Sequence, residues 1–195
     1  MTTPKAELFP IELTTDRSLL KDVLRALLHT ILFHRVFTNI RPMEVEALDT
    51  SYPAIDDPEI ERAVEDKLRA FARHLDTTGL DTAQILVSFF EKRTKSTWFS
   101  KAEEHVCWEE WPIAITCVRP RDERDQAYLK QAASAQLRKL LAGIVHTVET
   151  HREHVPAITT NEGNPFPYQI TIPTVNVSWG SMLKRIITDS APQTM

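Results

Sequence analysis

Glycine is scarce in this chain: Gly79, Gly143, Gly163 and Gly180 are the only four among 195 residues. They are too far apart to build a phosphate-cradling loop, which excludes both the dinucleotide fingerprint and the P-loop. Ser178-Trp179-Gly180-Ser181 also lacks the flanking glycines of a nucleophile elbow. Cysteine is scarcer still. Cys107 and Cys117 show no CxxC spacing and have no histidine placed to complete a zinc site. In an extended segment their separation is roughly 33 Å, too far for a bridge, so two free, reduced thiols are expected. Long apolar runs are missing, and none approaches the roughly 18 residues that span a bilayer. The opening residues MTTPKAELFPIEL lack the charged and apolar regions of a signal peptide, so a cytoplasmic chain without a transmembrane segment is expected. Positive charge is not in excess either. A net charge of −4 and a pI near 6.0 give no drive toward nucleic acid or an anionic membrane.

Catalytic constellations are also absent. No H-E-x-x-H pattern occurs. His146, His151 and His154 gather at the end of a helical stretch, with His151 and His154 on one helical face; cationic side chains are favoured there by the helix dipole, and no metal site is read from them. His29 and His34 are five residues apart, about 140° around a helix, and do not converge on an ion. His29 reads as a hydrogen-bonded core or boundary histidine. Glu109 and Glu110 are adjacent on a strand, so they point to opposite faces and form no acid–base pair. No catalytic residue, metal or cofactor follows from these patterns, and the chain is read as a non-enzyme.

Hydrophobic content of 42% with 26% charged residues does support a folded core, and the length suits one domain. Residues 8–13 predict a short edge strand, because Pro10 cannot donate to an interior ladder. A first helix is expected from Thr15 or Asp16, either of which is a good cap. Leu19, Leu20, Val23, Leu24, Leu27, Leu28, Ile31 and Leu32 give it a wide apolar stripe, marking it as central to the core. Residues 38–56 read as a connection with one weak strand over 43–48. Asp57-Pro58 opens a second helix whose buried face holds Ile60, Val64, Leu68, Phe71 and Leu75, with Gly79 at its stop.

Residues 84–92 and 109–118 predict two strands of a hairpin, with Pro112 placing the second at an edge or a bulge. A long third helix is expected over 122–151, its buried side marked by Leu129, Ala133, Leu137, Leu140, Leu141, Ile144, Val145 and Val148. Gly143 suggests close packing against another backbone. A strand near 168–172, another at Val175 and Val177, and a short helix over 182–187 complete the order. The tail over 191–195 is expected to be disordered. Helices set apart from a hairpin-built sheet define an α+β class, without βαβ alternation.

The stretch from 96 to 118 concentrates three of the four tryptophans, and they do not read as core. Trp98 and Phe99 follow Lys92, Arg93 and Lys95 and precede a polar segment. An outward ring leaves about 150–250 Å² of surface for a partner to cover; the alternative is a lid folded back on the sheet edge. The basic run itself reads as a solvated hairpin end.

Four segments resemble the autophagy-related protein 101 family of HORMA-domain proteins: LHTILFHR at 28–35, FFEKRTKSTWFS at 89–100, WEEW at 108–111 and MLKRII at 182–187. They fall in order across most of the chain, with little likeness over 39–57 and 158–167. The resemblance implies a single HORMA domain over residues 1–190, with three main helices packed on an antiparallel sheet, in the open, unlatched form. It implies a non-catalytic subunit of the autophagy-initiation kinase complex, alongside its kinase and scaffold subunits. That subunit pairs with and stabilises the HORMA domain of autophagy-related protein 13, and it is recruited to the preautophagosomal structure. Trp98 and Phe99 match the aromatics of the family's WF finger, which is thought to recruit downstream factors. The animal pattern is W-P-F, whereas here the two rings are adjacent and the loop before Trp108 is one residue longer. His34 and Arg35, at the end of the first helix's apolar run, are the expected contacts for the HORMA partner. The rival readings are a checkpoint or chromatin HORMA adaptor, or a small enzyme with a scattered site.

Overall fold

The structure, a computed structural model, describes residues 5–37, 40–97, 100–158 and 164–173, with backbone alone at 94–97 and 100–103. Trp98 and Phe99, the strand expected at Val175 and Val177, the helix expected over 182–187 and the tail over 191–195 lie outside the described residues.

The chain opens with β1 (Glu7–Leu8) and β2 (Ile11–Asp16), split at Phe9 and Pro10. Both pair with one later strand. Ile11, Leu13 and Thr15 are buried while Glu12 and Thr14 are exposed, the alternation of a strand with one face on a core. Thr15 and Asp16 therefore do not cap the first helix, as their residue types suggested; they finish β2. The Asp16 carboxylate instead accepts from the Ser18 amide at 2.6 Å and closes the turn at 17–19. Helix α1 (Leu20–Arg35) starts behind Leu19, with no side-chain cap. It is buried on nearly every side: Val23, Leu24, Ala26, Leu27, Leu28, Ile31 and Leu32 are all in the core. Such a helix is held by packing, so the weak start is tolerated.

β3 (Pro42–Ala47) and β4 (Thr50–Ile55) form a two-stranded antiparallel hairpin that packs on α1. The strand expected over 43–48 is β3; its partner β4 was not anticipated. The reason is the turn, where Leu48 and Asp49 both take left-handed φ, 47° and 58°. This two-residue geometry usually recruits asparagine and glycine, so a leucine there hides the signal. Ser134 holds the turn by donating to the Leu48 carbonyl at 2.7 Å. Helix α2 (Pro58–Thr78) follows its sequence expectation closely. Asp57 accepts from the Glu59 amide at 2.7 Å, and Gly79 ends the helix at φ 65°.

β5 (Thr82–Thr97) and β6 (Ser100–Val118) make a hairpin longer than the two expected strands. β7 (Tyr168–Thr171) pairs antiparallel with β5, while β1 and β2 pair parallel with β6. The sheet is therefore mixed, with an antiparallel heart and parallel additions on one side. β6 is interior rather than an edge. Its Pro112 faces the break between β1 and β2: Phe9 donates to the Glu110 carbonyl at 2.9 Å, so position 112, two residues on, points the same way. The missing N–H falls where the neighbouring ladder is already interrupted.

Helix α3 (Glu123–Thr150) is capped by Asp122, which accepts from the Asp125 amide at 2.8 Å. Ala133, Ser134, Leu137, Leu141 and Ile144 are buried, while Leu129, Leu140, Val145 and Val148 are half-buried along the flanks. Gly143 meets no other backbone among the described residues. A methyl group placed there would touch no described residue within 4 Å outside its own helix backbone. Gly143→Ala should therefore stabilise the isolated chain by about 0.4–1 kcal/mol, by restricting the unfolded chain without a clash. A lower melting temperature for that variant would mean that this face is packed in the folded chain.

Candidate functional site

The last turn of α1 delivers His34 and Arg35 to one end of the sheet. There β6 carries a bulge: Phe89 pairs with Glu109 but Phe90 pairs with Cys107, so Trp108 is the extra residue. A regular strand alternates faces, yet here Trp108 and Glu109 are both buried in succession. Trp111 shares the face of Glu109 two residues on. Trp108 and Trp111 are thus core residues, contrary to the reading that the tryptophans of this stretch stand outside it. The Trp108 indole N–H meets no acceptor among the described residues.

Glu109, with no exposed side-chain surface, is the hub of this end. Arg35 Nε donates to both of its oxygens, at 2.8 and 2.9 Å, and the Arg35 Nη2 reaches the His151 carbonyl at 3.3 Å. Trp111 Nε1 donates at 2.5 Å, and His154 Nε2 lies 2.7 Å from the second oxygen. A carboxylate only accepts, so the His154 proton on that contact sits on Nε2. Aromatic rings wall the cluster: Phe9 lies 4.9 Å from Trp111 and 5.6 Å from His154, and Trp108 lies 5.5 Å from His154. The cluster ties α1, β6 and the segment after α3 into one knot. Its donors saturate the carboxylate and water is excluded. That suits a structural ion pair, not a general base that must meet a substrate.

Arg35 is thus turned inward, 2% exposed, and its guanidinium is committed to Glu109. His34 is half-buried, edge-on to Phe33 at 5.2 Å, and its Nε2 has no partner among the described residues. Burial, followed by the neighbouring Arg35 charge, lowers the His34 pKa, against a smaller opposing pull from Glu149. His151 and His154 do not share a helical face, because α3 ends at Thr150; His151 caps it and His154 turns into the knot. His29 is a buried boundary histidine, its Nε2 lying 3.3 Å from Glu61. Burial pushes the Cys107 thiol up to about 12 and raises Cys117 as well, so both stay protonated and unreactive. Among the described residues no cluster of His, Cys, Asp and Glu is arranged to hold a metal ion, and no helix is long and apolar enough to cross a membrane.

The other feature of note is the β5–β6 ribbon. β7 covers β5 only over 86–89, and β1 begins opposite Glu109. Phe90 still donates to the Pro167 carbonyl at 2.9 Å, and beyond it residues 91–97 and 100–106 form a strand ladder only with each other among the described residues, over roughly 23 Å at strand rise. The last described pair is Thr97 with Ser100, which flanks positions 98 and 99. Along the ribbon Arg93 is exposed and pairs with Glu91 at 2.7 Å, as expected of a solvated basic run.

Three helices on a mixed sheet, with a projecting ribbon and a saturated ion pair at one end, define an α+β domain consistent with the HORMA type. The family model described as autophagy-related protein 101 matches residues 12–162, and the chain belongs to that family. Autophagy-related protein 101 of Schizosaccharomyces pombe is 28% identical, over 92% of this chain and 94% of its own length. The Arabidopsis thaliana protein of that name is 28% identical over 93% and 94%, and the Homo sapiens one 23% over 77% and 75%. Membership places the chain in autophagy.

Proposed function

We propose that this chain is a non-catalytic, single-domain HORMA subunit of the autophagy-initiation kinase complex. It pairs with and stabilises the HORMA domain of autophagy-related protein 13, and it recruits downstream autophagy factors through Trp98 and Phe99. It works without a cofactor, in the cytoplasm and at the preautophagosomal structure, in contact with the kinase and scaffold subunits. The observation that carries the reading is the ribbon: a family member extends two unaccompanied strands whose last described pair flanks an adjacent tryptophan and phenylalanine. Aromatic side chains are frequent anchors in protein interfaces. For the HORMA partner, His34 is the direct contact, with Arg35 acting from beneath by fixing the end of α1.

Replacing Trp98 and Phe99 together by alanine tests the recruiting role. Recruitment should be lost, since each such anchor carries on the order of 2 kcal/mol or more. The melting temperature and the affinity for the HORMA partner should stay at wild-type values. A variant that melts several degrees lower, yet recruits normally per folded molecule, would make the two rings a lid and overturn the finger.

A further inference from the structure

The β3–β4 hairpin plays no part in the function proposed above, yet among the described residues the outer edge of β3 is open. Its phase is fixed by Asp56 donating to the Arg41 carbonyl at 2.8 Å and by the two-residue turn after Ala47. Odd-numbered residues of β3 therefore direct their backbone groups at β4, and Glu44 and Glu46 direct theirs outward. No described residue meets those outward groups. The side chains divide the same way. Val45 stands opposite buried Tyr52 and Met43 opposite buried Ala54, whereas Glu44 and Glu46 are exposed opposite Pro53 and Ser51.

Met43 is 42% exposed and sits at the junction of two open cavities. One, of about 430 Å³, is lined also by Phe33, Tyr52 and Pro53. The other, of about 410 Å³, is lined also by Val45, Ile55, His29 and Glu61. The rim is acidic. Among the described residues Glu44 and Glu46 have no ionic partner, and Asp56 and Glu61 line the second cavity. Arg25, the cation in that cavity, is committed to Glu65 at 2.6 Å and Asp22 at 2.8 Å. Arg41 and Arg62 lie farther along, among Asp56, Asp57 and Glu59.

We propose that the outer edge of β3 accepts, by strand addition, an extended segment of a partner protein in which apolar residues alternate with lysine or arginine. The outward N–H and C=O groups of Glu44 and Glu46 supply the ladder. Alternate side chains of the added strand then fall beside Met43 and its cavities, and the intervening cations stand across from Glu44 and Glu46, where opposite charges favour the pairing. A second copy of this chain is disfavoured as occupant, because two such edges would bring glutamates against glutamates. This site is separate from Trp98 and Phe99, and it stands or falls independently of their role.

The test is a fluorescence-polarisation titration of the full chain with a labelled alternating lysine–valine octapeptide, beside a glutamate–valine control. The basic peptide should bind saturably and weaken with added salt, and the acidic one should not bind. Glu44→Lys with Glu46→Lys should weaken binding at least about tenfold by reversing the cross-strand charge. Glu44→Pro removes one outward N–H and no ladder bond to β4, so it should weaken binding comparably while leaving the melting temperature unchanged. Absence of saturable binding, equal binding of both peptides, or indifference to all three substitutions would reduce the glutamates to guards of a bare edge and overturn the proposal. Loss of affinity for the HORMA partner in Glu44→Pro would also overturn it, by assigning the edge to that pairing surface.

Discussion

Arg35→Met should destabilise the chain by about 3–5 kcal/mol, because it leaves a buried carboxylate without its cation. Glu109 has no route to water, and Trp111 and His154 alone do not replace the guanidinium that spans both oxygens. For a chain of this size the melting temperature should fall by roughly 6–20 °C. The companion variant is Arg35→Met with Glu109→Leu. If the charge left behind is the main cost, the double substitution should recover a large part of the loss, although Trp111 and His154 then lack their acceptor. Thermal or urea unfolding of the three proteins reads this directly. A single variant within about 1 kcal/mol of wild type would show that water reaches Glu109 and that the knot is not closed.

The second large effect belongs to the centre of α1. Leu28→Ala and Leu24→Ala should each cost about 2–5 kcal/mol, the range for deleting a leucine side chain from a packed core. Leu28 is fully buried and Leu24 nearly so, in a helix that contacts α2, α3 and β4. With structure on several sides the site cannot readily collapse into the cavity, which favours the upper part of the range. The helix has no N-terminal side-chain cap, so its stability comes from these contacts. Near-wild-type melting of either variant would mean that the leucine stripe does not face the core.

Much of this fold was legible along the chain, for local reasons. Asp57, Pro58 and Gly79 bound α2 because a cap, a preset φ and a left-handed stop act within a turn of their own position. The leucine pairs of α1 and the buried face of α2 follow from helical periodicity alone. The period-two alternation of Ile113, Ile115 and Cys117 within 109–118 gave their common buried face in β6. Failures came where a distant partner overrode the local signal. Asp16 is a good cap by type, yet pairing with Val118 draws it into β2. Pro112 suggested an edge or a bulge, yet the interruption at Pro10 in another segment lets it sit inside the sheet in regular register. Leu48 and Asp49 hid a hairpin that α1 and Ser134 support from outside it.

The sequence by itself determined the α+β class, the three principal helices, the absence of phosphate-binding and nucleophile motifs, and the resemblance that the family match then established. Those properties rest on residue type and spacing, which need no third dimension. The tertiary structure alone decided that Arg35 faces inward. Its carboxylate partner lies 74 residues away, and one bulged residue in β6 sets the face on which Glu109 stands. It likewise decided that Trp108 and Trp111 belong to the core and that, among the described residues, the outer edge of β3 is left open. Burial and backbone pairing are settled by what the rest of the chain brings alongside, and no local pattern encodes that.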